Sequence, residues 1–223
     1  MRLVCFLLLS AAVSATSVAP APARATPLEV SKPRIVQDHI PYGKKRKRQM
    51  ARYSRRHYGR GRWRLERRRV VVLHFTGGNS YSSAWNTFAS NAPARGELPG
   101  VCTHYIVGRG GKISEVVPVK VRCRHAIGLN HRSIGIEMVQ PTGRGSHWAC
   151  RRILRRKQQI SAALRLVRWL RGRHGIRMKN VIGHAMANKS PYFKDLKGWR
   201  NDHTDWGWRD VKTFRKRLRR ISQ

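Results

Sequence analysis

Four polar residues stand where the chain is otherwise apolar. His74 closes Val70-Val71-Val72-Leu73, His184 closes Val181-Ile182-Gly183, Glu137 is embedded in Ile134-Gly135-Ile136-Glu137-Met138-Val139, and Asp205 follows His203-Thr204. A carboxylate inside such a run is costly unless it has a partner or a task. Strand ends can bring distant positions to one edge of a sheet, so His74, His184 and Asp205 make a His/His/Asp zinc site possible, with three corners filled and the fourth left for water. Zinc held this way lowers the pKa of water to about 7 and polarises a carbonyl under attack. Glu137 would then take the water's proton and pass it to a departing nitrogen. His203 would stabilise the oxyanion as a hydrogen-bond donor. Taken singly these signals are weak, since a strand-end His is more often structural and Glu137 has many arginines to pair with. Asp202 competes as a ligand in principle, but its offset from His203 fits the pattern worse.

In order along the chain, the segments resemble the N-acetylmuramoyl-L-alanine amidase family, which includes the peptidoglycan recognition proteins and phage T7-type lysozyme. Val71-Val72-Leu73-His74-Phe75-Thr76 resembles the family's first zinc-ligand strand, and Thr103-His104-Tyr105 with Gly110-Gly111-Lys112-Ile113 its hairpin. Arg124-His125-Ala126 followed by Asn130 and Ser133-Ile134-Gly135-Ile136-Glu137 is similar to its "HAG…N…SIGIE" block. Val181-Ile182-Gly183-His184 and His203-Thr204-Asp205 resemble the two closing elements. The resemblance covers roughly residues 40 to 210. It implies zinc as cofactor, with His74, His184 and Asp205 as ligands, Glu137 as general base and His203 as transition-state stabiliser. It also implies that His125 and Asn130 face the substrate groove. Peptidoglycan and its muropeptides are the implied substrates, and the bond cut is the one between N-acetylmuramic acid and L-alanine. A non-catalytic recognition module of the same fold is the alternative, disfavoured because all three ligand positions are filled. The long interval from Ala185 to Thr204 implies a loop over part of the groove.

The elements that must position these residues are legible as hydrophobic patterns. Val70–Leu73, Thr103–Gly108, Ile113–Val117, Ser133–Val139 and Lys179–Gly183 read as strands, with Gly110-Gly111 as a hairpin turn between the second and third. Ser82–Ser90 reads as a short helix. Arg151–Arg173 reads as one long helix, because Ile153, Ile160, Leu164, Val167 and Leu170 recur at helical spacing, with Gly172 and Gly175 near its end. The expectation is an α/β fold with a central mixed β-sheet flanked by helices.

At the N-terminus, Arg2 and the apolar run Leu3–Val13 read as an export signal, too short for the roughly 20 apolar residues of a spanning helix. The expected division is a signal peptide at 1–25, a Pro/Ala spacer and basic arm at 26–69, a zinc amidase domain at 70–212 and a basic tail at 213–223. A secreted or periplasmic location follows from the signal, and a monomer is expected. One disulfide and one buried thiol are expected from Cys102, Cys123 and Cys150, with Cys102–Cys123 the pair because both flank segments converging on the site. The chain carries 48 Lys and Arg against 10 Asp and Glu, a net +38. Such a surface binds polyanions in general. In an exported protein that points to anionic envelope polymers, and nucleic acid is not an expected partner.

Overall fold

A computed structural model describes residues 30–222. The expected signal peptide, and the start of the spacer after it, lie outside the described residues. The chain forms a six-stranded sheet from β1 (Val36–Gln37), β2 (Val70–Gly77), β3 (Tyr105–Val107), β4 (Ile113–Glu115), β5 (Ser133–Pro141) and β6 (Val181–Gly183), in the order β1-β4-β3-β5-β2-β6. β3 and β4 are an antiparallel hairpin, and β2 lies parallel between β5 and β6. The sheet is therefore mixed, as expected.

Alternation along the strands decides which residues face which layer. Val71 and Leu73 of β2, with Ile134, Ile136 and Met138 of β5, join the larger core cluster. Its other wall is made by α3 (Ser146–Arg155), α4 (Lys157–His174) and α5 (Trp208–Arg220). The opposite face carries Val70, Val72, Ile106 and Val139, and so does the site. The helix expected over 151–173 is two helices broken at Arg156, which is extended at φ −82°, ψ 96°. The break lets Ile153 and Leu154 before it, and Ile160 and Leu164 after it, all reach the one core. Gly175 ends α4 at φ +61° with its N–H returning to the Arg171 carbonyl, a left-handed cap that favours glycine.

At both ends the structure differs from the expected boundaries. The segment read as a basic tail from 213 is the greater part of α5, whose Val211, Phe214 and Leu218 are fully buried at helical spacing. Arg215, inside this helix, is also buried and donates to the carbonyls of Val181 and Lys179 at 2.8 Å each. The segment read as a basic arm contains β1 and a helix, α1 (Lys44–Tyr58), and the short helix expected over 82–90 is α2 (Tyr81–Ala89). Met50 and Tyr53 of α1 are fully buried, and buried Arg46 donates to the carbonyl oxygens of Phe88 and Val101. Charge concealed both helices, because their apolar stripes are narrow and several basic side chains on them are themselves spent on backbone carbonyls. Cys102 and Cys123 form a disulfide, and Cys150 is a buried free thiol. Among the described residues no helix is long and apolar enough to cross a membrane.

Candidate metal-binding active site

Parallel pairing places His74 of β2 directly beside Glu137 of β5. On the other side of β2, Leu73 pairs with Gly183, so His184 leaves β6 level with His74. Asp205 arrives from the opposite end of a long loop. A Cβ on Gly183 would lie 1.7 Å from the Trp206 carbonyl oxygen, so only glycine lets that loop press against β6. Trp206 is fully buried and its indole N–H donates to the His74 carbonyl at 3.2 Å, while the Ala185 N–H donates to the Asp205 carbonyl at 2.9 Å. These contacts seat the carboxylate against both imidazoles.

The three groups converge. His74 Nδ1 and His184 Nδ1 are 3.1 Å apart, His74 Nδ1 is 3.3 Å from Asp205 Oδ2, and His184 Nδ1 is 3.2 Å from Asp205 Oδ1. Ligands about 2.0–2.1 Å from a tetrahedral zinc are separated by about 3.3–3.4 Å, so this triangle has the right size. All three residues are buried.

Hydrogen bonds fix which ring nitrogens are bare. Asn201 Oδ1 accepts from the Ile127 N–H, and Asn201 Nδ2 donates to the Ile127 carbonyl, so the oxygen facing His184 Nε2 at 2.9 Å is an acceptor. His184 therefore carries its proton on Nε2 and presents a lone pair at Nδ1. On His74 a relay of three residues fixes the proton. Ser133 Oγ donates to the Leu129 carbonyl at 2.8 Å and so accepts from His125 Nε2 at 3.1 Å. His125 Nδ1 is then an acceptor for His74 Nε2, 3.1 Å away, and His74 Nδ1 is left bare. Two lone pairs and a carboxylate thus face one another, an arrangement that suits a cation at their centre.

The electrostatics agree. Burial first, then His184, lowers the His74 pKa to about 4, so the ring is a neutral donor at ordinary pH. Burial pushes the Asp205 carboxyl up, but the close approach of His184 and His74 outweighs it and holds the group well below the usual carboxylate range. Glu137 behaves oppositely: burial, then the charge of Asp205, raises its pKa well above the ordinary value. Its Oε2 is buried with no hydrogen-bond partner. The salt bridge that so many arginines made plausible is absent among the described residues.

Glu137 and the triangle line a cavity of about 350 Å³, within the usual range for small-ligand sites. Phe75, Ala84, Phe88, Val101 and Ile127 give it an apolar wall. His203 sits at its rim, 60% exposed at the side chain and stacked on His184 with ring centroids 4.2 Å apart. Its pKa is lowered by burial and then by His184. Asp202 lies outside the triangle, 72% exposed and paired with Arg95 at 2.6 Å. His125 and Asn130 both border the cavity, but their polar atoms are committed to the protein. Asn130 is 1% exposed, and its Oδ1 accepts from the N–H groups of His125 and Ala126 at 2.8 Å each. Within the cavity wall, Asn130 shapes the loop that presents His125, and His125 braces His74. Three supporting residues escaped sequence reasoning. Asn201 and Trp206 lie in irregular chain where periodicity carries no signal, and Gly183 shows its purpose only through what packs on it.

A three-donor triangle with an uncommitted carboxylate beside it is a site that could hold a metal ion. The sequence profile of the N-acetylmuramoyl-L-alanine amidases matches residues 64–207, and the chain belongs to that family. No curated protein matches. Among solved structures, the PlyG catalytic domain is similar in fold at a TM-score of 0.51 with 14% identity, over 84% of this chain and 94% of that one. An amidase endolysin, LysCS from Clostridium intestinale, aligns at 0.49 with 16% identity over 82% of this chain and 96% of its own. The amidase AmiD from E. coli, solved with its substrate anhydro-N-acetylmuramic acid-L-Ala-D-gamma-Glu-L-Lys, aligns at 0.46 with 22% identity over 67% of this chain and 58% of its own.

Proposed function

We propose that the protein is a zinc-dependent peptidoglycan amidase that hydrolyses the bond between the lactyl group of N-acetylmuramic acid and L-alanine. The observation that carries this reading is the buried, unpartnered Glu137 carboxyl beside the His74–His184–Asp205 triangle. Two neutral imidazoles and one carboxylate suit zinc, and His74, His184 and Asp205 would hold it. When bound, zinc supplies Lewis acidity to the scissile carbonyl and acidifies water. Glu137 takes the proton from the attacking water as its oxygen joins the carbonyl carbon, then delivers that proton to the alanine nitrogen as the C–N bond breaks. The lactyl carboxylate and a peptide with a free N-terminal alanine result. His203, at the rim, is placed to donate to the carbonyl oxygen as charge builds on it.

Metal analysis of the purified full chain, with mass spectrometry of a peptidoglycan digest, tests this. The expected result is one zinc per chain and released peptides beginning at L-alanine. Cleavage between sugars, or no cleavage by fully metallated protein, overturns the reading. We further propose that the chain acts outside the cytoplasm, on the strength of Arg2 and the apolar run from Leu3 to Val13. N-terminal sequencing of protein recovered from the cell exterior or periplasm should find the run removed, whereas an intact N-terminus on cytoplasmic protein would refute export.

A further inference from the structure

The three parallel strands that deliver His74, Glu137 and His184 also have N-terminal ends, and a second cavity lies there. Its volume is about 380 Å³, and it is lined by Arg67, Arg69, Arg132, Arg177, Asn180 and Tyr192, together with Gly175. Arg69 immediately precedes β2, Arg132 immediately precedes β5, and Arg177 and Asn180 lead into β6. The backbone ties the first two together, the Arg69 N–H donating to the Arg132 carbonyl at 2.8 Å. The arginines therefore share one edge of the sheet because the strand order β5-β2-β6 puts their strand starts side by side. At about 3.3 Å per residue, the five steps from Arg69 to His74 put this cavity about 16 Å from the triangle, on the opposite edge.

With 48 basic residues and 10 acidic ones, most cations in this chain lack an acid, so an unpaired arginine by itself means little. These four share a concavity. No acidic residue lines it, and none of the four guanidinium groups makes a hydrogen bond or ion pair among the described residues. Elsewhere the protein does spend buried or partly buried arginines internally: Arg46, Arg122, Arg124 and Arg215 each donate to backbone or hydroxyl oxygens. Like charges gathered in one cleft add their fields and hold a counter-anion. The guanidinium fork matches tetrahedral oxyanions through paired hydrogen bonds, and phosphate offers more acceptor oxygens around one centre than a carboxylate does.

We infer that the Arg67–Arg69–Arg132–Arg177 cavity is a binding site for phosphodiester groups, separate from the active-site cavity, which anchors the protein on a phosphate-bearing surface while the other sheet edge stays free. The inference does not depend on the proposed amide hydrolysis, because the two cavities share no residue.

The test compares two triple variants of the full chain that lose the same charge. One is Arg67→Gln with Arg69→Gln and Arg177→Gln, all exposed positions of the cavity. The other is Lys212→Gln with Lys216→Gln and Arg220→Gln, exposed positions of α5. Sedimentation with phosphatidylglycerol vesicles and calorimetric titration with soluble poly(glycerol phosphate), both at physiological salt, read the binding. The cavity variant is expected to lose affinity by about tenfold or more, and the α5 variant by much less. Retention on the polymer alone, on vesicles alone or on both identifies the source of the phosphodiester, and each supports the site if it fails in the cavity variant only. Equal losses in the two variants, or no binding of either probe by the unaltered chain, overturn it. Hydrolysis of a small soluble muropeptide should be unchanged in both variants, so failure of this inference and failure of the proposed activity are read separately.

Discussion

Among the described residues, two three-residue groupings of imidazole and carboxylate differ in how their donor atoms are spent. In the first, His74, His184 and Asp205 present their free donor atoms to a common point that opens on a cavity. In the second, His57 lies wholly buried with Nδ1 2.8 Å from Asp195 Oδ2 and Nε2 2.8 Å from Glu97 Oε2. There the carboxylates bracket one ring from opposite sides, so their oxygens face the imidazole and do not gather around a shared centre. Asp195 spends its other oxygen on the N–H groups of Lys197 and Trp199, and Glu97 also holds Arg56. Tyr53 stacks on the ring at 4.0 Å. Residue types are the same in both places. What differs is commitment: the second cluster is a clasp joining α1, the loop before β3 and the loop that carries Asn201, while the first leaves lone pairs unspent.

That contrast breaks most sharply at Glu137 and His74. Glu137→Gln keeps the shape and removes the proton acceptor, so hydrolysis of a muropeptide should fall by about 10²–10⁴-fold with zinc content unchanged. His74→Ala should instead abolish zinc uptake, read by metal analysis after dialysis. The matching change in the other cluster, His57→Ala, should leave zinc uptake intact in folded protein. It strands two carboxylates against the core and should lower unfolding free energy by about 3–5 kcal/mol in denaturant melts. Loss of zinc from well-folded His57→Ala would erase the distinction between clasp and site.

Acid sharpens the comparison through a third histidine. His104 is fully buried and neutral, accepting from the Gly135 N–H at Nδ1 and donating to the Val121 carbonyl at Nε2, both at 3.0 Å. Burial lowers its pKa from 6.5 to about 4. Between those values the unfolded chain binds the extra proton and the folded one does not. The stability it contributes is therefore complete above pH 6.5 and is lost as pH falls towards 4, by about 3 kcal/mol for a shift of this size. His104→Gln, which can keep both hydrogen bonds, should flatten the stability slope across that window relative to the unaltered chain. An unchanged slope would mean that His104 takes up its proton without penalty.

Physics explains which of these residues could be read in advance. His74, His184 and Glu137 interrupt or end apolar strands, and a polar residue there stands out against a two-residue period. The β3–β4 hairpin announced itself through Gly110-Gly111, and the mixed sheet through the order of apolar runs. The clasp left no such trace: His57 and its carboxylates are polar residues in polar neighbourhoods, and only tertiary contact separates a buried His57 from a solvated one. The helices α1 and α5 were hidden for a related reason. In α1 the buried positions include Arg46, Gln49, Ser54 and His57, so a hydrophobicity pattern sees solvated chain where the structure has a packed face. Asn130 lines the cavity where its motif places it, and its oxygen is consumed by two backbone N–H groups. Motif position conveys proximity to the site, and hydrogen-bond accounting is needed to decide between reacting and supporting.

The smallest expected effect is the one that separates those two roles. His125 borders the cavity, and its hydrogen bonds make it the link between Ser133 and His74. Gly135 fits that link, since a Cβ there would come within 2.8 Å of the His125 ring, so the strand carrying Glu137 is kept bare to seat this imidazole. Removing a partner that sets the tautomer of a ligand typically weakens metal binding by about 10–100-fold. His125→Ala should therefore weaken zinc affinity by that factor in competition with a chromophoric chelator, measured without any substrate present. If His125 acted on the substrate instead, the chelator competition would be unchanged and the damage would appear as a raised KM. A normal zinc affinity in His125→Ala would assign the residue to the substrate and leave His74 oriented by its strand alone.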